Sequence, residues 1–147
     1  MPETTDDVSK KLQHPRRSLG NRHRSQAVKF LSLADSDSQN LEWAEQSARQ
    51  AVLHDFTNPQ NWRTLVQVKL ATGDDRGIRA VLNELFTILG RDPEALSQLD
   101  GVSMIESGSA ILEASLKADS LDPDEWWESV SQSDGALVEF IERVINL

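Results

Sequence analysis

The sequence predicts an all-α protein made of antiparallel helical hairpins. From about residue 27 onward, apolar residues recur at spacings of three and four, the period of a helix with one buried face. Pro, Gly and Asx clusters divide that pattern into segments of helical length, as stop-and-restart signals do. Strand signals are missing: the chain has no Tyr, few Thr and no run alternating with a period of two, which half-buried strands require.

The elements follow in order. Ala27, Val28, Phe30, Leu31, Leu33 and Ala34 form the first apolar face, ending before Asp35-Ser36-Asp37-Ser38. Residues 40–56 carry Leu41, Ala44, Ala48, Ala51 and Val52 on the second. Thr57-Asn58-Pro59 stops that helix, because Pro disfavours helix in the residue before it and opens the next one well. Asn58 is the natural N-cap. Residues 59–72 present Trp62, Leu65, Val66, Val68 and Leu70 and end at Gly73. Asp74 or Asp75 caps the fourth helix, whose face is Ile78, Val81, Leu82, Leu85, Phe86 and Leu89. Gly90-Arg91-Asp92-Pro93 repeats the restart, opening a short helix over 93–99, and Gly101 ends it. Helices over 103–118, 123–130 and 134–145 complete the chain.

The middle of the chain matches itself at a shift of 34 residues. Ala44 falls on Ile78, Ala48 on Leu82, Ala51 on Leu85, Val52 on Phe86 and Pro59 on Pro93; in the preceding helix Val28 falls on Trp62 and Leu31 on Leu65. A period of this length marks two-helix units that bury their faces by stacking. Pro123-Asp124-Glu125-Trp126 copies the spacing of Pro59-Gln60-Asn61-Trp62 at a shift of 64, so one unit is shortened by four residues near Gly101.

On these residues the chain resembles the tetratricopeptide repeat (TPR) family. Trp62 and Leu65 stand for the family's first-helix Trp and Leu, Gly73-Asp74 for its inter-helix Gly-Asp, and Asn58-Pro59, Asp92-Pro93 and Asp122-Pro123 for its closing Asp-Pro. Val66, Lys69 and Ile78 depart from the family's Gly, Tyr and Ala. The resemblance covers residues 25–92 best. It implies a short superhelix of stacked hairpins whose first helices line a peptide-binding face. Position by position, that face is Gln26, Lys29, Phe30 and Leu33 in one unit and Gln60, Arg63, Thr64 and Gln67 in the next; the third offers Glu94, Ser97 and Gln98.

Charge divides the chain. Seven of the 15 Lys and Arg, but three of the 24 Asp and Glu, fall in residues 1–29, so this stretch is net +4 and the rest carries −13. Residues 1–22, with Pro2, Pro15 and Gly20, read as a flexible basic tail, and residues 23–147 as the helical domain, with a break near 100–103. Cysteine is absent, which excludes disulfides and thiolate chemistry. No apolar stretch is long enough to span a membrane, and the chain reads as cytoplasmic. The acidic body repels nucleic acid.

No arrangement for catalysis, metal or cofactor emerges. His14, His23 and His54 lack ligand spacing, with His54 expected on a solvated face. The paired carboxylates, Asp35/Asp37 and Asp74/Asp75 among them, fit helix starts. Gly73-Asp74-Asp75-Arg76-Gly77 lacks the Lys-Ser/Thr end of a phosphate loop. The expectation is therefore a non-enzymatic adaptor, scaffold or complex subunit, binding a protein or acidic peptide. Lys29 and Arg63, at equivalent repeat positions, would receive a carboxylate. Adjacent Trp126 and Trp127 point about 100° apart on a helix; Trp126 packs inward, and Trp127 either covers the last helix or anchors a partner. Trp43 poses the same question. Two alternatives stand beside this reading. One is a subunit of a nucleic-acid-handling assembly, contacting RNA or DNA weakly through residues 10–24. The other is a homo-oligomer formed through the last helix, whose Leu137, Val138, Phe140, Ile141, Val144 and Ile145 occupy more than one stripe.

Overall fold

The computed structural model describes the backbone over residues 5–89, 97–118, 123–130 and 134–147, and side chains over 16–89, 97–118, 124–125, 127–128 and 135–147. Among these residues all regular structure is helical: α1 (Thr5–Ser32), α2 (Gln39–His54), α3 (Pro59–Ala71), α4 (Asp75–Ile88), α5 (Met104–Ala118), α6 (Pro123–Val130) and α7 (Asp134–Ile145). The all-α expectation holds. The short helix expected over 93–99 falls largely outside the described residues, and Asp92-Pro93 and Asp122 of the expected Asp-Pro pairs fall wholly outside them.

The first helix differs most from expectation. α1 is one helix of 28 residues, and it crosses the boundary at residue 22 where a flexible tail was expected to end. Pro15 removes a backbone donor and Gly20 is a poor helix former, yet the helix runs through both, and at Gly20 the packing shows why. Gly20 is buried against the α2–α3 turn, where an added Cβ would stand 2.7 Å from the Asp55 Cβ and 3.2 Å from the Asn61 Nδ2. Only glycine allows so close an approach. The Arg16 guanidinium lies 4.0 Å above the Trp127 ring, and Arg24 Nη1 donates to Asn61 Oδ1 at 3.0 Å. Residues 16–22 therefore belong to the packed body.

Small residues on α2 let α1 come close: Ala44, Ser47, Ala48, Ala51 and Val52 are buried. The pairing is antiparallel, since His23 meets His54 at one end and Phe30 meets Trp43 at the other. Just before α2, Asp37 Oδ1 accepts from the Gln39 N–H at 2.9 Å, satisfying the helix's first backbone donor. At the next turn Asn58 accepts from the Gln60 N–H at 3.0 Å and Pro59 opens α3, as its spacing predicts. Two buried side chains bind that turn to α3. Asn61 Nδ2 donates to the carbonyls of Ala51 (3.2 Å) and Asp55 (2.8 Å), and Trp62 Nε1 donates to the Phe56 carbonyl at 2.8 Å.

Gly73 takes φ +67° between α3 and α4, a conformation that suits glycine. The two aspartates that follow divide the capping. Asp74 Oδ1 accepts from the Gly77 N–H at 2.9 Å, while Asp75 Oδ1 accepts from the N–H groups of Met104 (2.6 Å) and Ile105 (3.3 Å) at the start of α5.

The 34-residue match is physical in the second helices. Ala44 and Ile78, Ala48 and Leu82, Ala51 and Leu85, and Val52 and Phe86 are all buried. It fails at Val28, which is 51% exposed where Trp62 is fully buried; among the described residues no helix covers that side of α1. α5 packs on both α3 and α4, as α3 packs on both α1 and α2. The place of the third unit's first helix is thus held by residues 104–118. The expected break near 100–103 is a turn pinned by Arg79 Nη2, which donates to the carbonyls of Leu99 (3.3 Å) and Val102 (3.2 Å). Across it the core continues through Met104 and Leu112. α7 does not extend the stack. It returns to α2, burying Phe140 and Val144 in the same core.

Candidate functional site

Positions 26, 29, 30 and 33 share one face of a helix, and on α1 that face is open. Gln26, Lys29 and Leu33 are exposed and Phe30 is half-buried. Phe30 turns its ring edge-on to Trp43 of α2, with centroids 5.4 Å apart. Trp43 is itself 47% exposed and Leu33 43%. The hairpin tip holds Leu33 in place: its carbonyl accepts from the Ser36 hydroxyl at 2.7 Å and from Asn40 Nδ2 at 2.9 Å. The hairpin tip thus presents the Phe30–Trp43 ring pair and, three positions further along the chain, the exposed Leu33, with Lys29 and Gln26 exposed on the same stretch.

The equivalent face of α3 is different. Gln60 and Gln67 are exposed as expected. Thr64 is buried, its hydroxyl donating to the Gln60 carbonyl at 2.9 Å, so it faces inward and cannot line a groove. Arg63 already holds a carboxylate. Its Nε and Nη2 donate to the two oxygens of Glu113 on α5 at 2.6 and 3.1 Å. The two-cation clamp expected of Lys29 and Arg63 is thus half-filled from within the chain. The pair is largely exposed, so it adds under about 1 kcal/mol to stability, but it occupies the fork geometry that a carboxylate ligand needs. In the third unit Ser97 and Gln98 are exposed in a turn, and Glu94 lies outside the described residues.

Trp127 is neither bare nor enclosed. Its ring stacks on Phe56 at 5.9 Å, with planes 16° apart, beneath the Arg16 guanidinium. It therefore ties α6 to α1 and to the α2–α3 turn. The Trp126 side chain lies outside the described residues.

The basic stretch is partly consumed in the same way. Of the arginines over 16–24, Arg16 sits on Trp127 and Arg24 donates to Asn61, while Arg17 and Arg22 are exposed. His54 is half-buried, not solvated, with its ring parallel to that of His23 at 5.0 Å. Burial lowers the His23 pKa, the neighbouring His54 and Arg22 add to the effect, and a hydrogen bond with Gln26 opposes it.

Two charged contacts fix α7 and are invisible to local pattern. Glu84 of α4 is buried and accepts both its bonds from Arg143 Nε, at 2.9 Å each. Burial raises its pKa and Arg143 pulls it back down. Lys69 of α3, almost wholly buried, donates to Glu45 at 2.5 Å and to the Leu147 carbonyl. One signal was available for Lys69. It lies seven residues after Trp62, two turns along the same buried face.

No family model matches the chain, and neither a curated protein nor a solved structure does. Among the described residues no helix is long and apolar enough to cross a membrane.

Proposed function

We propose that this chain is a non-enzymatic protein-interaction subunit that docks a protein or peptide partner on the first helical hairpin. One observation carries the reading: Phe30 packs edge-on against a half-exposed Trp43 near the tip of α1–α2, with Leu33, Lys29 and Gln26 exposed on the same stretch of chain. Large apolar side chains held in a fixed array and rimmed by polar groups are what protein interfaces use as anchors. The 34-residue periodicity and the TPR resemblance support the same reading, because stacked hairpins offer their first-helix faces to peptides. Lys29 gives the face a preference for an acidic segment. The α3 face contributes less, since Arg63 is engaged by Glu113 and Thr64 is buried.

The test is affinity capture from the native host, followed by calorimetric titration of the recovered partner against wild type and the K29E/L33E double variant. A loss of at least about tenfold in affinity is expected, the size of one interfacial anchor or about 1.4 kcal/mol. Equal affinity would discard the surface.

A further inference from the structure

Between residues 8 and 34 the chain has seven Lys and Arg and no Asp or Glu, so Arg22 and Lys29 have no carboxylate within reach on their own helix. Both are exposed, and neither has an ion-pair partner among the described residues. They are seven positions apart, two helical turns or about 10.5 Å along the axis. The same spacing joins Leu19, Gln26 and Leu33. Leu19 and Leu33 are 38% and 43% exposed, and Gln26 is exposed between them. Leu33 directly follows α1 and donates its N–H to the Phe30 carbonyl at 3.1 Å, so one tightened turn completes the row.

Positions seven apart drift by only about 20° around a helix, so 19, 26 and 33 form a seam about 21 Å long. Seen down the axis, Arg22 and Lys29 stand about 40–60° to one side of Gln26, and Phe30 about 40° to the other. On that second side Phe30 turns its ring to Trp43 of α2. The seam is therefore apolar at both ends and polar in the middle, with a cationic flank and an aromatic one. Paired helices meet through seams of this kind, in which core and charged flank repeat together every seven residues.

We propose that this seam receives an acidic amphipathic α-helix of a protein partner, laid along α1; the inference rests on the proposed function and names the partner class for that surface. Apolar residues repeating every seven positions on the partner meet Leu19 and Leu33. A polar residue between them meets Gln26 and fixes the register. Glu or Asp seven apart reach Arg22 and Lys29, which have no counter-charge of their own. An extended peptide does not match, because its same-face side chains repeat at about 6.8 Å. A nucleic-acid strand would satisfy the two cations and leave both leucines against a polyanion. Arg17 is equally basic and exposed, but nine positions from Gln26 it lies on the opposite side of the helix and takes no part.

The probe is a fluorescent synthetic helix of about four heptads, with Leu at every seventh place and Glu at the flanking places, beside a counterpart carrying Lys for each Glu. Anisotropy titration of the full chain should show saturable binding of the Glu peptide and none of the Lys peptide. R22E and K29E should each weaken the Glu peptide by about threefold or more, and R17E, the same charge change across the helix, by less than about twofold. R22E/K29E should bind the Lys peptide instead. Equal losses from R17E and R22E would overturn the proposal, since the attraction would then be to the charge of α1 as a whole. So would no saturation by the Glu peptide up to about 1 mM, or tighter binding of an RNA of about 20 nucleotides than of the peptide. If a variant loses its helical circular dichroism, the two peptides on the unaltered chain decide. Failure of the Glu peptide, while a captured partner still loses affinity on K29E/L33E, removes the acidic helix and keeps the docking surface; equal affinity there removes both.

Discussion

Replacing Trp62 by Ala tests the packing account at its largest buried side chain. An indole of this kind removes about 200 Å² from water, and at about 25 cal/mol per Å² that contributes about 5 kcal/mol. A compact denatured chain trims the figure by roughly a quarter. Loss of the Nε1 bond to the Phe56 carbonyl, 2.8 Å long in a buried setting, costs about 1 kcal/mol more. The expected destabilisation is about 3–5 kcal/mol, in line with Trp truncations in other cores, and the midpoint of thermal unfolding should fall by about 10–15 °C for a chain of this length. Urea unfolding followed by far-UV circular dichroism measures it, and the dependence on denaturant should stay unchanged. W62F keeps most of the ring and loses only the bond, so it should cost about 1–2 kcal/mol. A W62A shift below about 1 kcal/mol would refute the assignment of Trp62 to the core.

Three further outcomes follow from named contacts. G20A forces a backbone-mounted Cβ to within 2.7 Å of Asp55 and should destabilise the chain by about 1–3 kcal/mol in urea unfolding; a neutral effect would return residues 16–22 to the status of a tail. D74A removes the N-cap of α4 and should cost about 1 kcal/mol in the same assay, whereas equal stability would remove that cap from the account. The third concerns pH. His23 has a folded pKa below its ordinary 6.5, so the unfolded chain binds the proton more readily. Stability is then full above pH 6.5 and falls as pH drops through the folded value, by at most about 1.4 kcal/mol per pH unit from this group. H23Q should flatten that part of the stability profile, and an unchanged slope below pH 6.5 would show that burial does not lower the His23 pKa.

Local chemistry made the helix ends legible. Asn58-Pro59 and Gly73-Asp74 act in the structure as their types and order suggest, because caps and breakers work within a few residues of themselves. The burial of Ala44, Ala48, Ala51 and Val52, and of their counterparts 34 positions on, was readable from periodicity for the same reason. What escaped depends on distant partners. Nothing near Gly20 says that its helix continues; that follows from Asp55 and Asn61, more than thirty positions away. Arg63 looks like a free cation until α5 brings Glu113 to it across fifty positions. His54 looks solvated until α1 lays His23 on it. The return of α7 rests on Glu84–Arg143 and Lys69–Leu147, pairs that no short spacing connects. The candidate face was therefore half legible: Gln26, Lys29 and Leu33 are open, whereas on α3 Thr64 is buried and Arg63 is held by Glu113 while Gln60 and Gln67 stay open.

On the proposed function the partner docks on the α1–α2 face, and the α3 face contributes little. A photoreactive phenylalanine analogue placed at Leu33 in one variant and at Gln67 in another, irradiated in the native host, measures this directly. The account predicts a covalent partner adduct from position 33 and none from position 67. An adduct from position 67 with none from 33 would contradict it.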